Sequence, residues 1–229
     1  MPTIVDDWEL TLDIDAVLRG QGAKPEIIRK RSPNLVDLAE RAIDEGSPLL
    51  IPKLIFRRMA VESVMHERLL LLGGGELRGR LLAQHLSAAD EIVLVVCTIG
   101  AEIDSWIAEA FKANPLFGLS LDGLGNAAVE DLANQACRYF EQVARDEQMD
   151  ISIPLSPGME GWPVDDGQDQ IFGLLPAQKI GVKLNRSWMM SPSKSLSMAI
   201  GIGEQLASGG RQCDFCMLKE TCRYQDHYV

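Results

Sequence analysis

Aromatic residues make up only 6% of this 229-residue chain, and basic residues are also few: 22 Lys and Arg against 33 Asp and Glu, a formal charge of −11. An acidic surface repels phosphate backbones and anionic lipid, so neither a nucleic acid nor a membrane is expected as a partner. Local clusters such as Arg29-Lys30-Arg31 and Arg57-Arg58 read as solvated faces. Long apolar runs are missing too. The stretches around Pro48–Phe56 and Ile92–Cys97 fall far short of the roughly 20 residues that a membrane helix needs. The start of the chain is acidic and lacks the basic and apolar regions of a secretory signal, which sets the expectation of a cytoplasmic protein. Cysteine is odd in number, at five, and without a sign of export a disulfide framework is not expected. Catalytic signatures are absent as well. Gly73-Gly74-Gly75 has neither the GxGxxG spacing nor the lysine of a phosphate loop, and no histidine stands in HExxH or near a nucleophile elbow. Nothing spells a hydrolase or a kinase, and whether the chain is itself an enzyme stays open.

What is present is a globular pattern, with 46% hydrophobic residues and clear periodicities. Ser32-Pro33, an apolar stripe from Leu35 to Ile43, then Gly46 and Pro48, predict a capped helix. Leu49–Phe56 and Glu67–Leu72 read as strands, with a turn at the glycine triplet, and Glu76–Leu86 as a helix through its leucines. Ile92–Cys97 reads as a strand buried on both faces. A helix from Ile103 to Phe111 stops at Asn114-Pro115, and a longer one runs from about Leu121 to Gln148. Ile151, Ile153 and Leu155 alternate as a short strand whose Pro154 suggests an edge. SPGMEGWPVDDGQ reads as a long, functional loop, followed by a short helix at Ile171–Leu175. Val182–Met190 and Ser195–Ile202 read as a hairpin. On its second strand Ser195, Ser197, Ala199 and Gly201 form a small-residue face with room for something close to the backbone.

Two features invite chemistry. On the long helix Asp122, Asn126, Glu130 and Asn134 recur at steps of four and so share one face. By default such a stripe faces water; its functional reading is a set of acceptors for a cationic or amine-bearing ligand. At the C-terminus Cys213, Cys216 and Cys222 stand in a C-x-x-C-x-x-x-x-x-C spacing, which suits zinc or an iron–sulfur cluster. His227 is the nearest soft fourth ligand, ahead of Cys97 and Cys137, which sit in apolar patterns. The bland reading is three free thiols at a chain end.

The loop SPGMEGWP, the hairpin SWMMSPSKSLSMAIG and the helix start LDGLGNAAVE together resemble the reactivation (activation) domain of cobalamin-dependent methionine synthase, most closely its small free-standing relatives. With the TIG link after the buried strand, the likeness extends across most of residues 35–203. It implies a C-shaped α+β fold, a twisted antiparallel sheet with flanking helices, over residues 1–205, followed by a cysteine-rich tail at 206–229. It also implies that S-adenosylmethionine binds beside a corrinoid, so that an oxidised cobalamin is reduced and remethylated. The turn glycine of the family's ligand motif falls on Gly158, while the motif's arginine falls on Pro154 and its tyrosine on Met159, two departures from the pattern. The ligand-side candidates that follow are Ser156, Pro157, Gly158 and Met159, then Asp122 and Glu130, then Lys194, Ser195 and Ser197. The tail resembles an extension of some free-standing relatives and implies a metal or cluster at Cys213, Cys216, Cys222 and His227 that brings an electron to the corrinoid. The chain has no DxHxxG motif, so cobalamin is expected on a partner, a corrinoid-binding methyltransferase or methionine synthase module, with an electron donor as a further partner. The alternative is an iron–sulfur electron-transfer protein or a zinc-tailed interaction protein that has lost S-adenosylmethionine binding, which Pro154 and Met159 favour.

Overall fold

Strands buried on both faces need a layer on each side, and the chain supplies two. The computed structural model describes residues 1–206 together with Asp214 and Glu220. The elements run β1 (Thr3–Val5), α1 (Ile14–Gly20), α2 (Pro25–Arg31), α3 (Pro33–Gly46), β2 (Lys53–Met65), β3 (Arg68–Leu71), β4 (Glu76–Arg78), α4 (Arg80–Leu86) and β5 (Glu91–Thr98). There follow α5 (Glu102–Ala113), α6 (Pro115–Asp146), β6 (Asp150–Ile151), α7 (Val164–Leu174), β7 (Lys183–Leu184), β8 (Met190–Ser191) and β9 (Ser195–Gly203). One curled antiparallel sheet, a half-barrel with flanking helices, has the order β4-β3-β2-β5-β9-β6, with β1 also paired to β2. This is the α+β arrangement expected from the sequence.

Alternation along the central strands divides the core in two. Leu54, Val93, Val95, Cys97, Met198, Ile200 and Ile202 face α1, α3, α5 and α6. Ile55, Met59, Ile92, Leu94, Val96 and Ala199 face α4, α7 and the buried Trp162. Each leucine or isoleucine buried this way contributes roughly 1.5–3 kcal/mol. Among the described residues no helix is long and apolar enough to cross a membrane.

Several boundaries differ from the sequence expectations. The first long strand begins at Lys53, not Leu49, because Ser47–Leu49 form a helical turn around Pro48. It then continues to Met65, pairing first with β5 and then with β3, with a register shift between Val61 and Ser63. The helix expected from Glu76 starts only at Arg80, since Glu76–Arg78 pair with β3 as a strand. The long helix begins before Leu121. Asn114 accepts from Phe117 N at 3.2 Å and Pro115 opens the first turn, so the pair that stops α5 also starts α6. The loop expected up to Gln168 ends at Pro163. Asp165 and Asp166 occupy the first turn of α7, where carboxylates suit the helix dipole.

The expected hairpin is corrected as well. Asn185 Oδ1 accepts from Ser187 N at 2.8 Å and Met189 N at 3.1 Å, an Asx turn that reverses the chain inside Val182–Met190. Only Lys183–Leu184 pair with Met190–Ser191, and β9 instead lies in the main sheet beside β5. Its small face is filled. A side chain at Gly201 would meet Leu86 Cδ2 at 2.8 Å and Ala89 Cβ at 3.1 Å, so the room read from the sequence is occupied by α4 and the turn after it.

Candidate functional site

Residues 1–13, which include β1, end in a helix cap. Asp13 Oδ1 accepts from Ala16 N at 2.7 Å and opens α1, whose Val17 and Leu18 are buried. Helix α1 then lies along the polar stripe of α6. The approach is close enough that a Cβ on Gly20 would sit 2.2 Å from the carbonyl oxygen of Gly123. Polar bonds fix the register: Asn126 Nδ2 donates to Gly20 O at 2.9 Å, and Gln21 Nε2 to Ser120 Oγ at 3.3 Å. Upstream, Thr11 N donates to Asp131 Oδ2 at 2.8 Å and Gln135 Nε2 to Glu9 O at 2.8 Å.

From the other side comes the start of β9. Asp104 of α5 accepts from Ser193 N at 2.6 Å and from Ser193 Oγ at 2.8 Å, and this anchors the entry to the strand. The next residue, Lys194, is nine-tenths buried, and its Nζ donates to Asp122 Oδ1 at 2.6 Å and Asn126 Oδ1 at 2.7 Å. A buried ammonium with a carboxylate and an amide oxygen is satisfied and ties β9 to α6. Between these walls lies a cleft of about 440 Å³, lined among others by Asp13, Arg19, Asn126, Glu130, Asn134, Lys194 and Ser195. That volume is within the range of about 300–1,000 Å³ usual for small-molecule sites.

The structure thus gathers part of the predicted set. Glu130, Lys194 and Ser195 line the cleft, and Asp122 adjoins it through Lys194. The stripe is therefore a cleft wall, not the solvated face it reads as by default. The Ser195 hydroxyl is committed to Thr98 Oγ1 at 2.9 Å and Pro192 O at 2.8 Å. Ser197 is buried, with its hydroxyl donating to Gln168 Oε1 of α7 at 3.1 Å. Ser156, Pro157, Gly158 and Met159 do not line the cleft. They form a tight turn in which Gly158 takes a φ of +99° and donates to Trp162 O at 2.8 Å. The left-handed conformation suits glycine there. The Met159 side chain packs in the core on the α7 side, and its Sδ accepts from Ser156 N at 3.1 Å. Sequence reading missed Arg19, Asp13 and Asp131. The signal for the first two was Asp13 ahead of apolar residues at 14, 17 and 18, a cap before a helical stripe.

Cys213, Cys216, Cys222 and His227 lie outside the described residues, and among those described no three His, Cys, Asp or Glu side chains are placed to hold a metal ion. Cys97 and Cys137 are core residues. Burial pushes both thiols up to about 12, which keeps them protonated and poor as ligands.

No family model and no curated protein matches the sequence. Among solved structures the chain is similar to one described as the MetH reactivation domain bound to AdoHcy, at a TM-score of 0.60 and 16% identity, over 92% of this chain and 81% of that one. The chain has the fold of the MetH reactivation domain.

Proposed function

We propose that the chain is an accessory module for the reductive reactivation of a protein-bound corrinoid, with S-adenosylmethionine as methyl donor. The observation that carries this reading is the cleft between α1, α6 and β9, set in a fold shared with a domain whose structure holds AdoHcy. S-adenosylmethionine presents an ammonium, a sulfonium charge and ribose hydroxyls. The side chains of Glu130 and Asn134 offer acceptors at the cleft wall, and Lys194 holds that wall rigid. When bound, the ligand would supply the methyl group for a cobalamin carried by a corrinoid-binding methyltransferase or methionine synthase module. The share of this chain is to bind, orient and present it.

The test is calorimetric titration of S-adenosylmethionine into protein purified without oxygen. Micromolar binding, about −8 kcal/mol, is expected, together with a loss of about tenfold or more in Glu130→Gln, since hydrogen bonds to a charged group are among the stronger ones. No binding at millimolar ligand would overturn the reading.

A second reading rests on the buried side chain of Met159 and on Pro154, which leave the turn around Gly158 without a charged ligand donor. In it the ligand is lost and Cys213, Cys216, Cys222 and His227 hold an iron–sulfur cluster or zinc. Iron with acid-labile sulfide in the purified protein would support electron transfer, and zinc a binding role.

A further inference from the structure

Among the described residues three arginines are half-buried, namely Arg19, Arg57 and Arg58. Two of them have acceptors. Arg57 Nη1 donates to Leu174 O at 3.1 Å, and Arg58 bonds Glu91 at 2.6 Å and Glu147 at 2.7 Å. The Arg19 side chain has no acceptor in the described part of the molecule, and it lines the cleft. A guanidinium has five N–H donors in a planar fork and cannot shed its charge, so a half-buried one without partners is poised for an anion.

Among the described residues no carboxylate lining the cleft, Glu130 included, bonds Arg19. Asp13 caps α1, accepting from Ala16 N at 2.7 Å. Asp131 accepts from Thr11 N and Gln135 Nε2, both at 2.8 Å. Asp122 holds Lys194. The lysine in turn is occupied by Asp122 and Asn126, which leaves Arg19 as the cleft cation without a partner among the described residues. Nor is Arg19 a loose surface group, because its backbone is held by the contact of Gly20 with Gly123 and by the bond from Asn126.

We infer that Arg19 receives the carboxylate of the ligand, so that the cleft takes a zwitterionic α-amino-acid end and not a bare nucleoside. This inference rests on the S-adenosylmethionine reading and adds to it a residue and a specificity. A carboxylate accepts two parallel N–H bonds from the guanidinium fork. The ammonium two bonds away would then meet the acidic side of the cleft, where Glu130 and Asn134 stand.

The experiment compares S-adenosylhomocysteine with 5′-methylthioadenosine, which lacks the amino-acid end, on wild type, Arg19→Gln and Arg19→Lys. Arg19→Gln is expected to weaken S-adenosylhomocysteine by about tenfold to a hundredfold and to leave 5′-methylthioadenosine unchanged. Arg19→Lys should recover part of the loss, because it keeps the charge and gives up the fork. The thermal midpoint should not move, since Arg19 bonds no group among the described residues. Equal losses for the two ligands, or no loss for either, would overturn the role of Arg19 while leaving the proposed function standing. If wild type binds neither nucleoside, the proposed function fails, and Arg19 is judged with L-methionine at millimolar concentration by the NMR signal of its Nε–H. A shift of that signal on adding L-methionine upholds it, and no shift overturns it.

Discussion

The small-residue face of β9 and the polar stripe of α6 lie on opposite sides of one sheet, and they close in different ways. On the β9 side apolar bulk does the closing: Leu86 and Ala89 come down on Gly201, Trp162 is wholly buried, and the hydroxyl of Ser197 is spent on Gln168. On the α6 side a second helix docks through polar bonds and a glycine contact, and a cleft remains where β9 enters the sheet. Small residues in a strand therefore admit a neighbouring element as readily as a ligand. A polar stripe acquires meaning only when something packs beside it.

Two substitutions would break this contrast from either side. The larger effect is expected from Trp162→Ala, which removes a fully buried ring and should cost about 3–5 kcal/mol of stability in a urea titration. It should leave the affinity for S-adenosylmethionine within threefold, and a proportionate loss of binding would mean that the two sides are not separate. Next comes Gly20→Val, which drives a branched side chain into Gly123 and should cost about 1–3 kcal/mol. Here binding should fall by more than tenfold because a wall of the cleft is displaced. Retained binding would show that α1 is not part of the site.

Much of the fold was legible because its signals are local. Ser32-Pro33 marked α3, the apolar run to Cys97 marked β5, and Asn114-Pro115 marked the break before α6. What misled were residues with more than one local meaning. Asp165, Asp166 and Gly167 read as loop, yet they stand on α7. The run Val182–Met190 has strand composition, but Asn185 turns it back on itself. For the site, Asp122, Asn126, Glu130 and Asn134 could be placed on one face from their spacing. Which element covers them could not, because the docking of α1 depends on Gly20 meeting Gly123, a contact between residues a hundred positions apart. Likewise the engagement of Lys194 with Asp122, and the lack of a partner for Arg19 in the described structure, are tertiary facts that no motif carries.

The most direct measurement is the mapping of backbone amide shifts while S-adenosylhomocysteine is titrated into the protein. The account predicts perturbations centred on Arg19 and Gly20 of α1, on the stretch from Asn126 to Asn134 of α6, and on Lys194 and Ser195 at the start of β9. Shifts confined to the other side of the sheet, around Leu82 of α4 and Gln168 and Ile171 of α7, would contradict it.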